Sequence, residues 1–191
     1  NIIVVEKNFK DFDENKSLNL LLNEVRKNSN NKWVLSLDGD EILEDTAIVW
    51  FREFMSEKDF NEKITIRFNY INLWRSRKQY RLDKWFNSES GKCFSIHNDL
   101  ISIGTKFNNH HFCYGDIDNF GEVVRPDKKI LHYAWVDWNY ILKKFIRNIN
   151  YEMNYNNNSI DDAVEICGSI LDDRGLVLEN CHPDWNKEFR P

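Results

Sequence analysis

No stretch of about eighteen consecutive apolar residues occurs in this chain, so the sequence offers no membrane-spanning helix. The opening Asn1-Ile2-Ile3-Val4-Val5 is too short for a signal peptide and lacks its basic flank. Basic residues are the minority. The net charge of −5 speaks against a general nucleic-acid binder, whose contact face carries an excess of Lys and Arg. Cysteine is sparse: Cys93, Cys113, Cys167 and Cys181 are widely spaced and contain no Cys-x-x-Cys pair, which removes zinc-site spacing. Such usage fits a reducing compartment, and a cytoplasmic location is the expectation. Neither Gly-x-x-x-x-Gly-Lys-Ser/Thr nor Gly-x-Gly-x-x-Gly is present, so P-loop and dinucleotide readings lack support. No Ser-His-Asp or Cys-His arrangement can be read from spacing, and there is no internal repeat.

What is present is a chain of 191 residues with 41% hydrophobic and 30% charged side chains, the balance of a globular protein with a sizeable core. Aromatic residues reach 14%, including seven Trp and thirteen Phe. Such rings can stack on sugars, but core packing is the ordinary use of each, Trp74, Trp85 and Trp135 included. Ile2–Val5 reads as a short buried strand, and Leu18, Leu21, Leu22 and Val25 recur at helical spacing up to the turn-forming Asn28–Asn31. Trp33–Leu37 reads as a second buried strand, so strand, helix and strand suggest a βαβ unit. Asp45 is placed to cap a helix carrying Ile48, Trp50, Phe51 and Phe54. Ile64–Tyr70 alternates as a strand, and residues 74–103 read as short strands and turns. Residues 104–127 show no strong periodicity and read as a functional or variable loop region that contains Gly, His and Asp. Lys128–Tyr133 follows as a strand. Trp138, Ile141, Leu142, Phe145 and Ile149 mark a long amphipathic helix, and Ile160–Leu171 a last one. The expectation is one α/β domain over residues 1–191, with 137–175 as its C-terminal helical portion.

Chemistry concentrates at Asp38-Gly39-Asp40-Glu41, where an apolar strand gives way to a loop. The carboxyl end of such a strand is where ligands bind in open α/β sheets. Three carboxylates within four residues repel one another, and a cation relieves that repulsion. Hard oxygen donors suit Mg²⁺ or Mn²⁺, which keep waters and bridge to substrate phosphates. The alternative is a solvated acidic turn at the start of the next helix.

The segment Trp33-Val34-Leu35-Ser36-Leu37-Asp38-Gly39-Asp40-Glu41-Ile42-Leu43 resembles the Trp-Val/Ile-Leu-x-Leu-Asp-Ala/Gly-Asp-Glu segment of GT-A-fold glycosyltransferases related to family 2. Ile66–Trp74 and Lys78–Trp85 resemble that family's strands with acceptor contacts, and Ile130-Leu131-His132-Tyr133 with the helix after it resembles its closing segment. The likeness runs over roughly residues 1 to 155, and only the first segment is specific. The resemblance implies a Rossmann-like mixed sheet flanked by helices and a metal-dependent hexosyltransferase of polysaccharide biosynthesis. It implies Mn²⁺ or Mg²⁺ on Asp38 and Asp40, with Glu41 orienting the loop and His132 as a further metal ligand. The implied partners are a nucleotide-sugar donor and a carbohydrate or protein- or lipid-linked acceptor, with no nucleic acid. In the family, two βα units that hold base and ribose usually precede the motif. Here the motif lies at Asp38, so the expectation is a partial domain, a fragment lacking the nucleotide-binding half.

An acceptor hydroxyl needs a base. Asp116, after Tyr114-Gly115, is the first choice. His111, beside His110 and near Asp118, is the companion candidate, and Asp83 and Asp118 remain as alternatives. The Lys143, Lys144 and Arg147 face of the late helix is expected to be solvated. Two rival readings stay open. One is a non-catalytic carbohydrate-binding or scaffold module with a degenerate GT-A fold. The other is a haloacid-dehalogenase-like phosphotransferase, in which the first Asp of such a motif is a nucleophile and the second an acid/base. That motif continues with a small pair such as Gly-Thr, where this chain has Glu41-Ile42.

Overall fold

Helical spacing of leucines at the start and alternation in the middle of the chain predict mixed α/β structure, and the computed structural model has it. It describes residues 14–28, 33–58, 62–83, 88–96, 121–168 and 170–185. The expected strand Ile2–Val5, and with it the βαβ crossover, lies outside the described residues. The described residues fall into two compact units. One draws on Asn1–Ser36, Arg52–Phe68 and Glu89–Asp127, the other on Leu37–Phe51, Asn69–Ser88 and Lys128–Pro191.

In the first unit, helix α1 (Glu14–Asn28) buries Leu22 and leaves Leu21 half exposed. Arg26 and Lys27 in its last turn oppose the negative end of the helix dipole. Strand β1 (Trp33–Leu35) is shorter than its pattern predicts, and it is not fully buried: Leu35 is exposed and Trp33 meets the edge of Phe54 at 5.8 Å. The first half of a longer strand, Ile64–Phe68, buries Ile64, Ile66 and Phe68 in this unit. Ser95 fastens that strand's start, accepting from the Ile64 N–H at 2.9 Å and donating to the Glu62 carbonyl at 2.9 Å.

In the second unit, β2 (Glu41–Leu43) occupies part of what the sequence reads as loop. Strand β3 (Ile64–Asn72) enters this unit with its second half. Further strands are β4 (Gln79–Arg81), β5 (Ser88–Ser95), β6 (Glu122–Val124) and β7 (Lys129–His132). Strand β5 pairs antiparallel with β1, and β6 runs parallel to the start of β3, within the first unit. Strand β7 runs antiparallel to β2 and parallel to the end of β3, so this part of the sheet is mixed. The register is the consequential feature. Glu41 lies opposite His132, and His132 lies opposite Asn72, so three polar residues line up across adjacent strands. Partners in register share a sheet face, and residues two apart on a strand share it too. Tyr70 therefore lies on the same face, one pair along. The neighbouring residues Ile71 and Leu131 belong instead to an apolar cluster with Leu73 and Tyr80.

Beyond β7, Asp137 caps helix α3 (Trp138–Tyr155) by accepting from the Tyr140 N–H. Helix α4 (Ile160–Gly168) begins at Ser159, whose hydroxyl accepts from the Asp162 N–H, and it stops short of the expected Leu171. Trp74, Ala134, Trp135, Ile141 and Ile170 form a second buried cluster, so Trp74 and Trp135 are core side chains. Strand β8 (Leu178–Asn180) pairs antiparallel with β4 in a tail that the sequence leaves unassigned. Asp45 opens helix α2 (Asp45–Glu57) inside its first turn, with the Glu44 carbonyl accepting from Ala47. Among the described residues, no helix is long and apolar enough to cross a membrane.

Gly121 is held in the left-handed region at φ +76°, with the Glu122 N–H on the Lys63 carbonyl. A Cβ at that position would overlap the same carbonyl. Gly121→Ala combines backbone strain with that clash and is expected to cost about 2 kcal/mol or more. Thermal unfolding should show a melting point lowered by several degrees.

Candidate functional site

The acidic turn is closed from within. The Glu41 N–H donates to the Asp38 carbonyl at 3.1 Å, and the Glu41 carboxylate reaches back to accept from the Asp38 N–H at 3.0 Å. The other Glu41 oxygen accepts from the Tyr70 hydroxyl at 2.5 Å. Glu41 is buried, and its carboxylate is occupied in fixing the turn. Burial, reinforced by the Glu41 charge, pushes the Tyr70 hydroxyl far above its ordinary pKa, so it stays a donor. The Asp40 carbonyl accepts from the Tyr133 N–H at 2.7 Å, which ties the turn to the end of β7.

With its backbone held on both sides, Asp40 directs Oδ2 toward two basic side chains. His132 Nε2 lies 3.6 Å away and Lys144 Nζ 3.9 Å away. The orientation of His132 follows from its neighbours. Indole N–H groups only donate, so the contact from Trp135 Nε1 at 3.2 Å fixes Oδ1 of Asn72 as the acceptor. The same oxygen stands 2.8 Å from His132 Nδ1, which must therefore carry a proton. A neutral His132 then presents the lone pair of Nε2 toward Asp40, and a protonated one presents an N–H. The first is the state that ligates a metal, and an outer-shell acceptor on the far nitrogen is how metal-binding histidines are held. The polar contact with His132 holds the Asp40 carboxyl at about 2, against the pull of burial and with help from the Lys144 charge. Lys144 is only 7% exposed and sits 4.5 Å above the Trp135 ring. Burial lowers its pKa, and Asp40 is the largest of the charges that oppose this.

Among the described residues, no group of three His, Cys, Asp or Glu side chains is close enough to form a metal cage. Asp40 and His132 supply a smaller donor set. Their 3.6 Å separation is one that two ligand bonds of about 2.1 Å can span. Magnesium-type ions are commonly held by one or two protein ligands, with waters and substrate phosphates completing the shell. The donor chemistry fits such an ion.

The residues singled out by sequence separate as follows. Asp40 and His132 converge. Asp38 is exposed on the same turn. Glu41 turns its carboxylate to Asp38 and Tyr70. The base candidates Asp116 and His111, with His110 and Asp118, lie outside the described residues. Asp83 is engaged by the Arg81 guanidinium, with Nε at 3.0 and 3.2 Å from its two oxygens. One expectation is corrected: Lys143 and Arg147 are solvated, but Lys144 is not. It falls three residues after the buried Ile141, on the inner stripe of α3. Tyr70 and Asn72, which sequence reasoning passed over, continue the period-two pattern of β3 onto the site. No family model matches this chain, and no curated protein sequence does.

Two outcomes follow. Asn72→Leu strands the buried donors of His132 and Trp135 and should cost about 2–4 kcal/mol, whereas Asn72→Asp keeps an acceptor and should cost less. Chemical denaturation of both variants checks this. Because folding lowers the Asp40 pKa from 3.8 to about 2, its stabilisation is fully present above about pH 4 and is lost as pH falls toward 2. Asp40→Asn should therefore be less stable than the wild type by about 1–2 kcal/mol near neutrality, a gap that closes over that acid range in pH-dependent melts.

Proposed function

We propose that this chain is a GT-A-like glycosyltransferase domain that moves a sugar from a nucleotide-sugar donor to an acceptor hydroxyl. The observation that carries the reading is the convergence of Asp40, near the end of the Trp33–Glu41 motif, with His132, which Asn72 aims. Asp40 and His132, with Asp38 beside them on the turn, are the residues that would hold Mn²⁺ or Mg²⁺. Such an ion supplies charge neutralisation for the diphosphate as it leaves. The protein's own part is preorganisation. Glu41 and Tyr70 hold the turn rigid, and the Asp40 backbone is pinned to Tyr133, so little rearrangement is needed when the donor binds.

In the transfer, the acceptor oxygen forms a bond to the anomeric carbon, the bond from that carbon to the diphosphate breaks, and the hydroxyl proton passes to a base. Asp116 is assigned that role, with His111 as its alternate. The acceptor is a carbohydrate or a protein- or lipid-linked hydroxyl.

Calorimetric titration with UDP and GDP, with and without Mn²⁺, tests this reading. Manganese-dependent binding is expected, and it should disappear in Asp38→Asn/Asp40→Asn. Binding that ignores both manganese and the substitutions would remove the metal–diphosphate site. Absence of any binding would favour a carbohydrate-binding module.

A further inference from the structure

Lys144 takes no part in the hydrogen bonds that fix the acidic turn. It is more than nine-tenths buried, on the inner face of α3, with its ammonium turned toward Asp40. Burying an ammonium is costly unless its charge and its donors are met. The charge is met only in part: the approach to Asp40 Oδ2 is 3.9 Å, well beyond the roughly 2.7–2.9 Å of a charge-assisted hydrogen bond. Trp135 offers a ring face at 4.5 Å, which attracts the charge but accepts no directed bond of ordinary strength. Among the described residues, no hydrogen bond engages Nζ. A lysine serving only as a structural ion pair would close on its carboxylate. This one stands off, beside an oxygen that faces a histidine nitrogen as well.

We propose that Lys144 is the anion-binding group of this site: its ammonium contacts phosphate oxygens of the donor diphosphate and, by leaning on the same Asp40 oxygen, weakens binding of a divalent cation alone. The inference rests on the transferase reading and adds a specific behaviour to it. Cation and diphosphate bind as a pair. The ammonium repels a cation that arrives by itself. Once a diphosphate is present, its oxygens lie between the two positive charges and the repulsion becomes attraction. Linkage makes the coupling reciprocal, so the diphosphate strengthens cation binding by the same factor as the cation strengthens diphosphate binding.

The test uses the full chain and Lys144→Met, which keeps the length and apolar stem of the side chain. Mn²⁺ alone and inorganic pyrophosphate at saturating Mn²⁺ are titrated separately. The expected result is a split of opposite sign. Mn²⁺ alone should bind the variant severalfold more tightly, and pyrophosphate should bind it about tenfold or more weakly. Lys144→Arg, which restores a cation, should recover most of the pyrophosphate affinity. A merely structural lysine would lower both affinities together, and that result overturns the proposal, as does a pyrophosphate affinity unchanged by the substitution. If the wild type binds no pyrophosphate with Mn²⁺, this inference and the transferase reading fall together. Binding by the wild type that ignores Lys144→Met removes the inference alone. Should the Met variant not melt cooperatively, the native chain still decides the matter. Pyrophosphate with Mn²⁺ must protect Lys144 from amine acetylation, read by peptide mass, and absence of protection overturns the proposal.

Discussion

One amide oxygen organises the second unit of this protein. Oδ1 of Asn72 takes a proton from Trp135 Nε1 and another from His132 Nδ1, and all three groups are buried. Each donor removed from water must be satisfied, or its full desolvation cost remains. The indole can only donate, so the orientation of the amide is forced, and the tautomer of the neutral histidine follows from it. The register of β3, β7 and β2 extends the constraint. Asn72, His132 and Glu41 lie in one row, and Tyr70 links that row to the acidic turn. The turn's shape, the direction of His132 and the packing of Trp135 are thus parts of one polar network. In a network of this kind, the removal of one member leaves the others unpaired.

The helix that brings in Lys144 is fixed at both ends by its own sequence. Asp137 caps the start, and Ile141 packs into the cluster with Trp74 and Trp135. At the far end, the buried Glu152 accepts from the side-chain amides of Asn156 and Asn158 at 2.7 and 2.8 Å, while Asn157 takes the left-handed conformation at φ 56°. Asparagine tolerates that conformation better than other side chains with a Cβ. The run Asn156–Asn158, which as sequence is only a polar spacer, is in the structure a helix terminator. A helix anchored in this way holds the position of a side chain along its length, and the stand-off between Lys144 and Asp40 belongs to that frame.

Much of the fold was legible because long periodic segments announce themselves. The leucines of α1, the alternation from Ile64 to Tyr70 and the apolar stripe of α3 all appear in place. Short elements carried no comparable signal. Strand β2 has three residues and begins with a buried glutamate, whose burial depends on a tyrosine hydroxyl far away in the chain. Strand β8 is exposed throughout, so no pattern of burial marks it. At the site, the type of residue was legible at Asp40 and His132, but their orientation was not, because it depends on Asn72 and on strand register. Lys144 shows the limit most clearly. Between Lys143 and Arg147 it reads as part of a basic, solvated face, and helical phase alone shows that it shares a side with Ile141.

The charges gathered here constrain what can occupy the site on the proposed reading. Glu41 has its charge met by the Asp38 N–H and the Tyr70 hydroxyl, so it adds little demand for a ligand. Asp40 remains, with Lys144 leaning on it. A diphosphate by itself would face the Asp40 carboxylate beside that ammonium. A divalent cation by itself would meet an ammonium already leaning on the oxygen it needs. A cation and a diphosphate together would meet complementary charge, the cation at Asp40 and His132 and the phosphate oxygens at Lys144. Electrostatics in a partly buried site is strong enough for that difference to matter, since screening by water is reduced there. On the proposed reading, the site would favour a ligand that brings both charges at once.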